Sequence, residues 1–329
     1  MSDATPIPSA TQPASAPDSE KLYDAIIIGA GFSGLSAAMQ LARARKQICI
    51  IDAGLPRNRF AAASHGFFGL DGKSPDEISR LAMAQIRAYP TVSIVHGMAK
   101  AASRLESDAA GTGNEDNNRF KVSLDDGRRF QARRLILATG VVDTLPDIPG
   151  LMPRWGKTVL HCPYCHGYEV RDRALGVLAT GPMSNHQAMM IPDWGPTTFF
   201  TQGKYEPEPE IRAQMDARGI TIEQSPIVEL IGAAPDLEAV KLADGRSTPI
   251  QALFAGPTVS MTNPLSEMLG CAFEEGLAGP FIKVDASQET SIPGVFAAGD
   301  AATARHNATL ASAAGVLAGV GAHQSLIFS

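Results

Sequence analysis

Residues 23–54 read YDAIIIGAGFSGLSAAMQLARARKQICIIDAG. An apolar run is followed by a glycine turn, then by a stretch in which Leu35, Ala38, Met39, Leu41 and Ala42 recur at helical spacing, then by a second apolar run ending at Asp52. That order is one βαβ unit. Inside it Gly29, Gly31 and Gly34 stand as GxGxxG, with Ala30 and Ser33 completing the turn. The first glycine allows the tight turn, the second lets the backbone approach a pyrophosphate, and the third lets helix and strand pack closely, so the helix N-terminus faces the phosphates. Asp52 ends the second strand at the distance where an acid takes the adenosine ribose hydroxyls. The stretch predicts a dinucleotide site.

A chain of 329 residues suits two domains of ordinary size. A net charge of −6 with no dense Lys/Arg run argues against nucleic acid or an anionic membrane as partner, because phosphate binding needs clustered positive charge. No segment approaches the roughly 20 consecutive apolar residues of a membrane helix. Residues 1–20, MSDATPIPSATQPASAPDSE, lack the basic start and apolar run of a secretory signal, and their Ala/Ser/Pro/Thr composition reads as a disordered tail. A soluble, cytoplasmic protein acting on a small molecule is expected, with no membrane or nucleic-acid partner.

The four cysteines are too few for a disulfide framework. Cys49 and Cys271 lie in apolar runs and read as buried small hydrophobes. Residues 161–169, HCPYCHGYE, put Cys162 and Cys165 two residues apart beside His166. Zinc wants four ligands and no second pair exists, so no metal site is assigned; a purely structural two-residue loop is rarer still. Redox exchange fits, since an adjacent imidazole can take the proton that makes a thiolate.

Downstream, SIPGVFAAGDAAT at 291–303 is a short apolar strand ending in Gly299 and Asp300, and a helix of small residues follows it. This resembles the second FAD fingerprint of the two-dinucleotide-binding flavoproteins; LILATG at 135–140, ending in Thr139 and Gly140, resembles the strand that closes their FAD domain. With the CxxC between these elements, the chain after residue 20 resembles the low-molecular-weight thioredoxin reductases. CPYCHGYE together with SHGFFGLDG at 64–72 resembles their dithiol oxidase branch, which closes disulfides in natural products of the gliotoxin, holomycin and romidepsin type. Reductases usually place Asp where His166 stands.

The resemblance implies an α/β protein of two Rossmann-like, three-layer dinucleotide-binding domains. Residues 21–145 and 260–329 would form a split FAD domain, and 146–259 an inserted NAD(P)H-type domain carrying the CxxC. TLPDIPG at 144–150 and GPTVSMTNP at 256–264 read as the linkers, and GTGNEDNNR at 111–119 as a solvated hairpin tip. By resemblance Asp300 bonds the ribityl chain, Asn307, Ala308 and Thr309 open the helix facing the flavin, and His65 lies on a loop near the isoalloxazine ring. Cys165 lies next to the flavin, Cys162 exchanges with substrate, and His166 relays protons. A homodimer is implied.

In such relatives the inserted domain binds nicotinamide cofactor through its own glycine turn. Here LGVLATGPMSNHQAMMI at 175–191 keeps only Gly181 in that turn; Ala179 burdens it with a Cβ and Pro182 removes an N–H that should face phosphate. Beyond the next strand, Glu206, Glu208 and Glu210 stand where NADPH-using relatives carry arginines, with Lys204 the single cation. The expectation is an FAD-dependent, NADPH-independent dithiol oxidase of secondary metabolism, closing a disulfide in a small dithiol with O₂ as acceptor and giving hydrogen peroxide. An NADPH-dependent thioredoxin reductase and a non-catalytic flavoprotein redox sensor are the alternatives.

Overall fold

The computed structural model describes residues 21–105 and 119–328. The N-terminal tail and the hairpin tip, apart from Arg119, lie outside the described residues. The chain divides into two compact units. One comprises the described residues through Arg57, Asp76–Val142 and Ser260 onward; the other comprises Asn58–Pro75 and Asp143–Val259.

In the first unit, strands Val92–His96, Ile48–Asp52, Leu22–Ile28 and Arg129–Leu137 lie side by side in that order and run parallel. Arg129–Leu137 is long enough to serve two neighbours. Its first half pairs antiparallel with Arg119–Leu124, which pairs in turn with Ala99–Leu105, and its second half pairs parallel with Val295–Ala297. The segment expected to close the domain is therefore a central strand. The apolar runs are continuous because a parallel sheet is covered on both faces, and two clusters of buried side chains lie on its two sides.

Helix Phe32–Arg43 buries Leu35, Ala37, Ala38, Leu41 and Ala42 on one such face. Against it lies the C-terminal helix Ala308–Phe328 at backbone distance: a Cβ on Gly315 would sit 2.1 Å from the Ser33 carbonyl oxygen, and one on Gly319 2.7 Å from that of Ala37. Glycine is required there for space. By length and composition this 21-residue helix is apolar enough to cross a membrane, which the sequence reading did not anticipate; its small-residue face belongs to the core of the unit.

The second unit repeats the plan. Strands Thr221–Glu223, Thr197–Phe200, Leu175–Leu178, Ala252–Ala255 and Val159–Leu160 form a parallel sheet in that order, accompanied by an antiparallel meander, Ile227–Ile231, Ala239–Leu242 and Ser247–Pro249. Two apolar clusters again flank the sheet. The expected boundaries need one correction, because residues 58–75, and with them His65, pack with this unit. A Cβ on Gly156 would lie 2.9 Å from Cβ of Phe60, which shows how tightly the early segment seats.

Candidate active site

The first glycine turn has the geometry of a phosphate cradle. Gly29 takes φ +103°, and a Cβ there would lie 2.2 Å from the Ala138 carbonyl oxygen, directly before Thr139 and Gly140. A Cβ on Gly34 would lie 1.9 Å from the Gly29 oxygen. Around Gly31 there is open space, with nothing within 4 Å of where a Cβ would stand. The helix that begins here has no side-chain cap and no acid in its first turn, which leaves its N–H groups and dipole available to an anion. Asp52 accepts from the Ala30 N–H at 2.9 Å and the Gly54 N–H at 3.1 Å, so it braces the turn while a carboxylate retains further lone pairs for a ribose. These residues fit the dinucleotide end of FAD.

Gly299, at φ +77°, packs against Ser33. Asp300 accepts from Arg57 Nη1 at 2.7 Å, a pairing between positions 243 residues apart that the motif did not announce. Asn307 caps the C-terminal helix, its Oδ1 accepting from Thr309 N at 2.8 Å and Leu310 N at 3.2 Å. That oxygen is engaged in the cap rather than directed at a ligand.

The second turn is closed on itself. The N–H groups of Thr180 and Gly181 donate to Ser184 Oγ at 3.0 and 3.3 Å, Pro182 has none, and Thr180 Oγ1 donates to the Gly256 carbonyl at 2.7 Å. Helix Ser184–Met190 then runs only seven residues. Past the next strand, Glu206 is held by Thr201 Oγ1 at 2.5 Å and Gln224 Nε2 at 3.1 Å. Donors that would meet a pyrophosphate are thus spent inside the turn, and a fixed carboxylate follows.

The dithiol occupies a short helical turn of this unit. Cys162 precedes helix Pro163–His166, with proline at its first position, where a missing N–H costs nothing. Gly167 ends it, and a Cβ there would meet the Pro163 carbonyl oxygen at 2.6 Å and the Trp194 ring at 2.8 Å. Tyr164 meets the same indole edge-on at 5.8 Å. The turn is therefore clamped onto Trp194.

Both cysteines are free, and Cys165 Sγ donates to Cys162 Sγ at 2.7 Å. That hydrogen bond, helped by the Cys165 and Tyr164 backbone N–H groups, outweighs burial and lowers Cys162 to about 7. Donating the bond and being buried push Cys165 up instead. Cys162 is thus the thiolate of the reduced pair, and Cys165 holds the proton. Burial lowers His166 below its ordinary value, against a smaller upward pull from Glu169 and with a small push down from His65, so near neutral pH it is an unprotonated base.

His65 joins this group. Its Nε2 lies 3.5 Å from Glu169 Oε1 and its Nδ1 3.6 Å from Asp71 Oδ1, and its ring stands edge-on to His166 at 6.5 Å between centroids. The loop is shut by Ser64 N donating to the Lys73 carbonyl at 2.8 Å, and Asp71 also accepts from Gly66 N at 2.8 Å. Glu169 and Asp71 were absent from the sequence-derived site; an acid one helical turn after His166 was the signal that could have found Glu169. Cys49 and Cys271 are buried and their thiols pushed up by burial, Cys49 to about 12, which keeps them inert.

Residues 23–315 match the family described as pyridine nucleotide-disulphide oxidoreductase. The thioredoxin reductase tcpT of Claviceps purpurea is 33% identical over 93% of this chain and 95% of its own. The thioredoxin reductase sirT of Leptosphaeria maculans is 31% identical, over 91% and 93%. The crystal structure of an oxidoreductase from Agrobacterium tumefaciens superposes with a TM-score of 0.86 at 47% identity, covering 94% of this chain and 99% of that one.

Proposed function

The chain belongs to the pyridine nucleotide-disulphide oxidoreductase family, and from that premise we propose that it is an FAD-dependent dithiol oxidase that closes a disulfide in a small secondary metabolite without NADPH. The observation that carries this is the second glycine turn, whose N–H groups end on Ser184. With no nicotinamide to feed it, a dithiol in this fold is filled by electrons from substrate thiols.

A substrate thiolate attacks Sγ of Cys162 in the oxidised pair, breaking the Cys162–Cys165 bond, and the second substrate thiol then attacks the sulfur bound to Cys162. The cyclic disulfide leaves, and Cys162 departs as the thiolate its lowered pKa favours. Cys165 ends with the proton, so its return to the disulfide needs a base; neutral His166, next in the chain, is suited to take it. His65, set between Glu169 and Asp71, orients that group. FAD, held by the first glycine cradle, supplies acceptance of the electron pair and its transfer to O₂, so that dithiol plus O₂ gives disulfide plus hydrogen peroxide. The protein acts in the cytoplasm on this reading.

The names of the relatives favour a second reading, an NADPH-dependent disulfide reductase. Aerobic mixing of the yellow protein with a small dithiol, with and without NADPH, separates the two. Oxygen uptake on dithiol alone is expected; flavin bleaching by micromolar NADPH, with no oxygen uptake on dithiol, would overturn the proposal.

A further inference from the structure

Asp300 lies in the turn Gly299–Ala302, and Arg57 opens the turn Arg57–Phe60. The neighbours of the acid are apolar, since Ala298 and Ala301 are fully buried and Ala302 is buried beside them. Gly299, just before it, stands against Ser33, whose hydroxyl oxygen would lie 2.5 Å from a Cβ there. Ser33 belongs to the first turn of the helix Phe32–Arg43 behind the glycine cradle. The carboxylate is therefore at the nucleotide end of the first unit, where Arg57 Nη1 donates to its Oδ2 at 2.7 Å and each side chain is only 20% exposed.

Stability does not account for this pair. Withdrawing two charges from water costs about as much as their attraction returns, so apolar side chains of similar size would serve the fold as well. What the pair supplies, and apolar side chains cannot, is a carboxylate fixed in orientation. The guanidinium engages Oδ2, and a carboxylate retains further lone pairs that accept from a hydroxyl. FAD, which the glycine cradle fits, carries hydroxyls in two places. Those of the adenosine ribose lie at the end where Asp52 braces the first turn. Those of the ribityl chain lie in the flavin half, and Asp300 is the second fixed acid of the unit.

We propose that Arg57 is a positioning residue for the flavin half of FAD: its guanidinium holds the Asp300 carboxylate turned so that a ribityl hydroxyl donates to it. This rests on FAD as the ligand of the first unit and is independent of the direction of the sulfur chemistry. Arg57 is also the last residue of the first unit before the chain passes into the second at Asn58. Coupling is reciprocal, so bound flavin tightens the hold on Arg57 by the factor by which Arg57 tightens the hold on flavin. Loading of the cofactor thereby fixes the point at which the chain leaves the first unit.

The full chain, stripped of flavin, is titrated with FAD and separately with ADP, which fills the adenosine end and has no ribityl chain. Arg57→Met should weaken FAD at least about tenfold, the loss expected for a hydrogen bond to a charged group, and leave ADP unchanged. Arg57→Lys, which keeps the cation, should recover most of the loss. Arg57→Met added to Asp300→Asn should cost no more than Asp300→Asn alone, because the one acts through the other. On the wild type, FAD but not ADP should slow the tryptic cut after Arg57, followed by mass spectrometry. Unchanged FAD affinity in Arg57→Met, equal losses of FAD and ADP, additive losses in the double variant, or equal protection by the two nucleotides would each overturn the proposal. A wild type that takes up neither nucleotide would remove FAD itself and the proposal with it.

Discussion

The molecule contains the same nucleotide-binding plan twice, and the two copies differ where a ligand would touch. Both build a parallel sheet in which the strand before the turn, Leu22–Ile28 or Leu175–Leu178, lies between two neighbours, and both add an antiparallel meander. In the first copy the helix behind the glycine turn has no side-chain cap, so its first N–H groups are left facing outward. In the second the corresponding N–H groups fold back onto Ser184 and a proline interrupts them. Apolar periodicity is enough to keep strand, turn and helix, whereas holding a pyrophosphate needs free N–H groups in front of it. Fold and ligand-facing groups can therefore part company within one chain: the second copy keeps strand, turn and helix while its turn N–H groups are bonded to Ser184, and it carries the two cysteines.

The difference is broken most sharply at the dithiol. Cys162→Ser and Cys165→Ser are each expected to lower disulfide formation on the order of 10³-fold or more, as loss of a covalent nucleophile does, while the protein stays yellow. Oxygen-electrode turnover and the flavin spectrum measure the two halves of that statement. Near-normal turnover by Cys162→Ser would remove it from the exchange role.

Glycine substitutions in the two turns come next. Gly34→Ala drives a methyl to 1.9 Å from a backbone oxygen, so flavin should be lost and stability should fall by about 2 kcal/mol or more. Gly181→Ala meets nothing within 4 Å, so flavin content and thermal midpoint should not change. Equal losses in both variants would contradict the open space around Gly181.

Smaller effects follow from proton positions. With Cys162 at about 7, alkylation of the reduced protein should slow as pH falls through that value, because the reactive thiolate is being protonated, by roughly tenfold from pH 7.5 to pH 6. In Cys165→Ser a hydroxyl replaces the donating thiol and the half-point should rise; mass spectrometry of Cys162 follows both. Glu169→Gln should cost roughly tenfold in turnover, below the ~10² expected for a group that itself moves the proton. Glu169 pulls the pKa of His166 upward, so its neutralisation should also shift the acid limb of the pH profile to lower pH. A uniform loss without that shift would mark Glu169 as structural.

Much of this was legible before the fold. The turn at 29–34, the acid at 52, the CxxC and the damaged second turn are short-range patterns, and each is read from residues within one or two elements. What resisted reading depends on distance along the chain. Residues 58–75 follow the first βαβ unit in sequence but pack with the second unit, because packing of Phe60 and the closure of the 64–73 loop, not chain order, decide the company His65 keeps. Arg57 meets Asp300 across 243 positions, and His65 meets Glu169 across a boundary the linkers did not predict.

By itself the sequence determined which elements form, since strand and helix periods and glycine positions are local properties of the chain, and it determined that one turn carries all three glycines while the other keeps only Gly181. Only the tertiary structure decided which cysteine is the thiolate, because that rests on the direction of one sulfur hydrogen bond and on burial. It alone decided which side of an almost uniformly apolar C-terminal helix is core and which is surface, because the inner face is chosen by glycines that let two backbones touch.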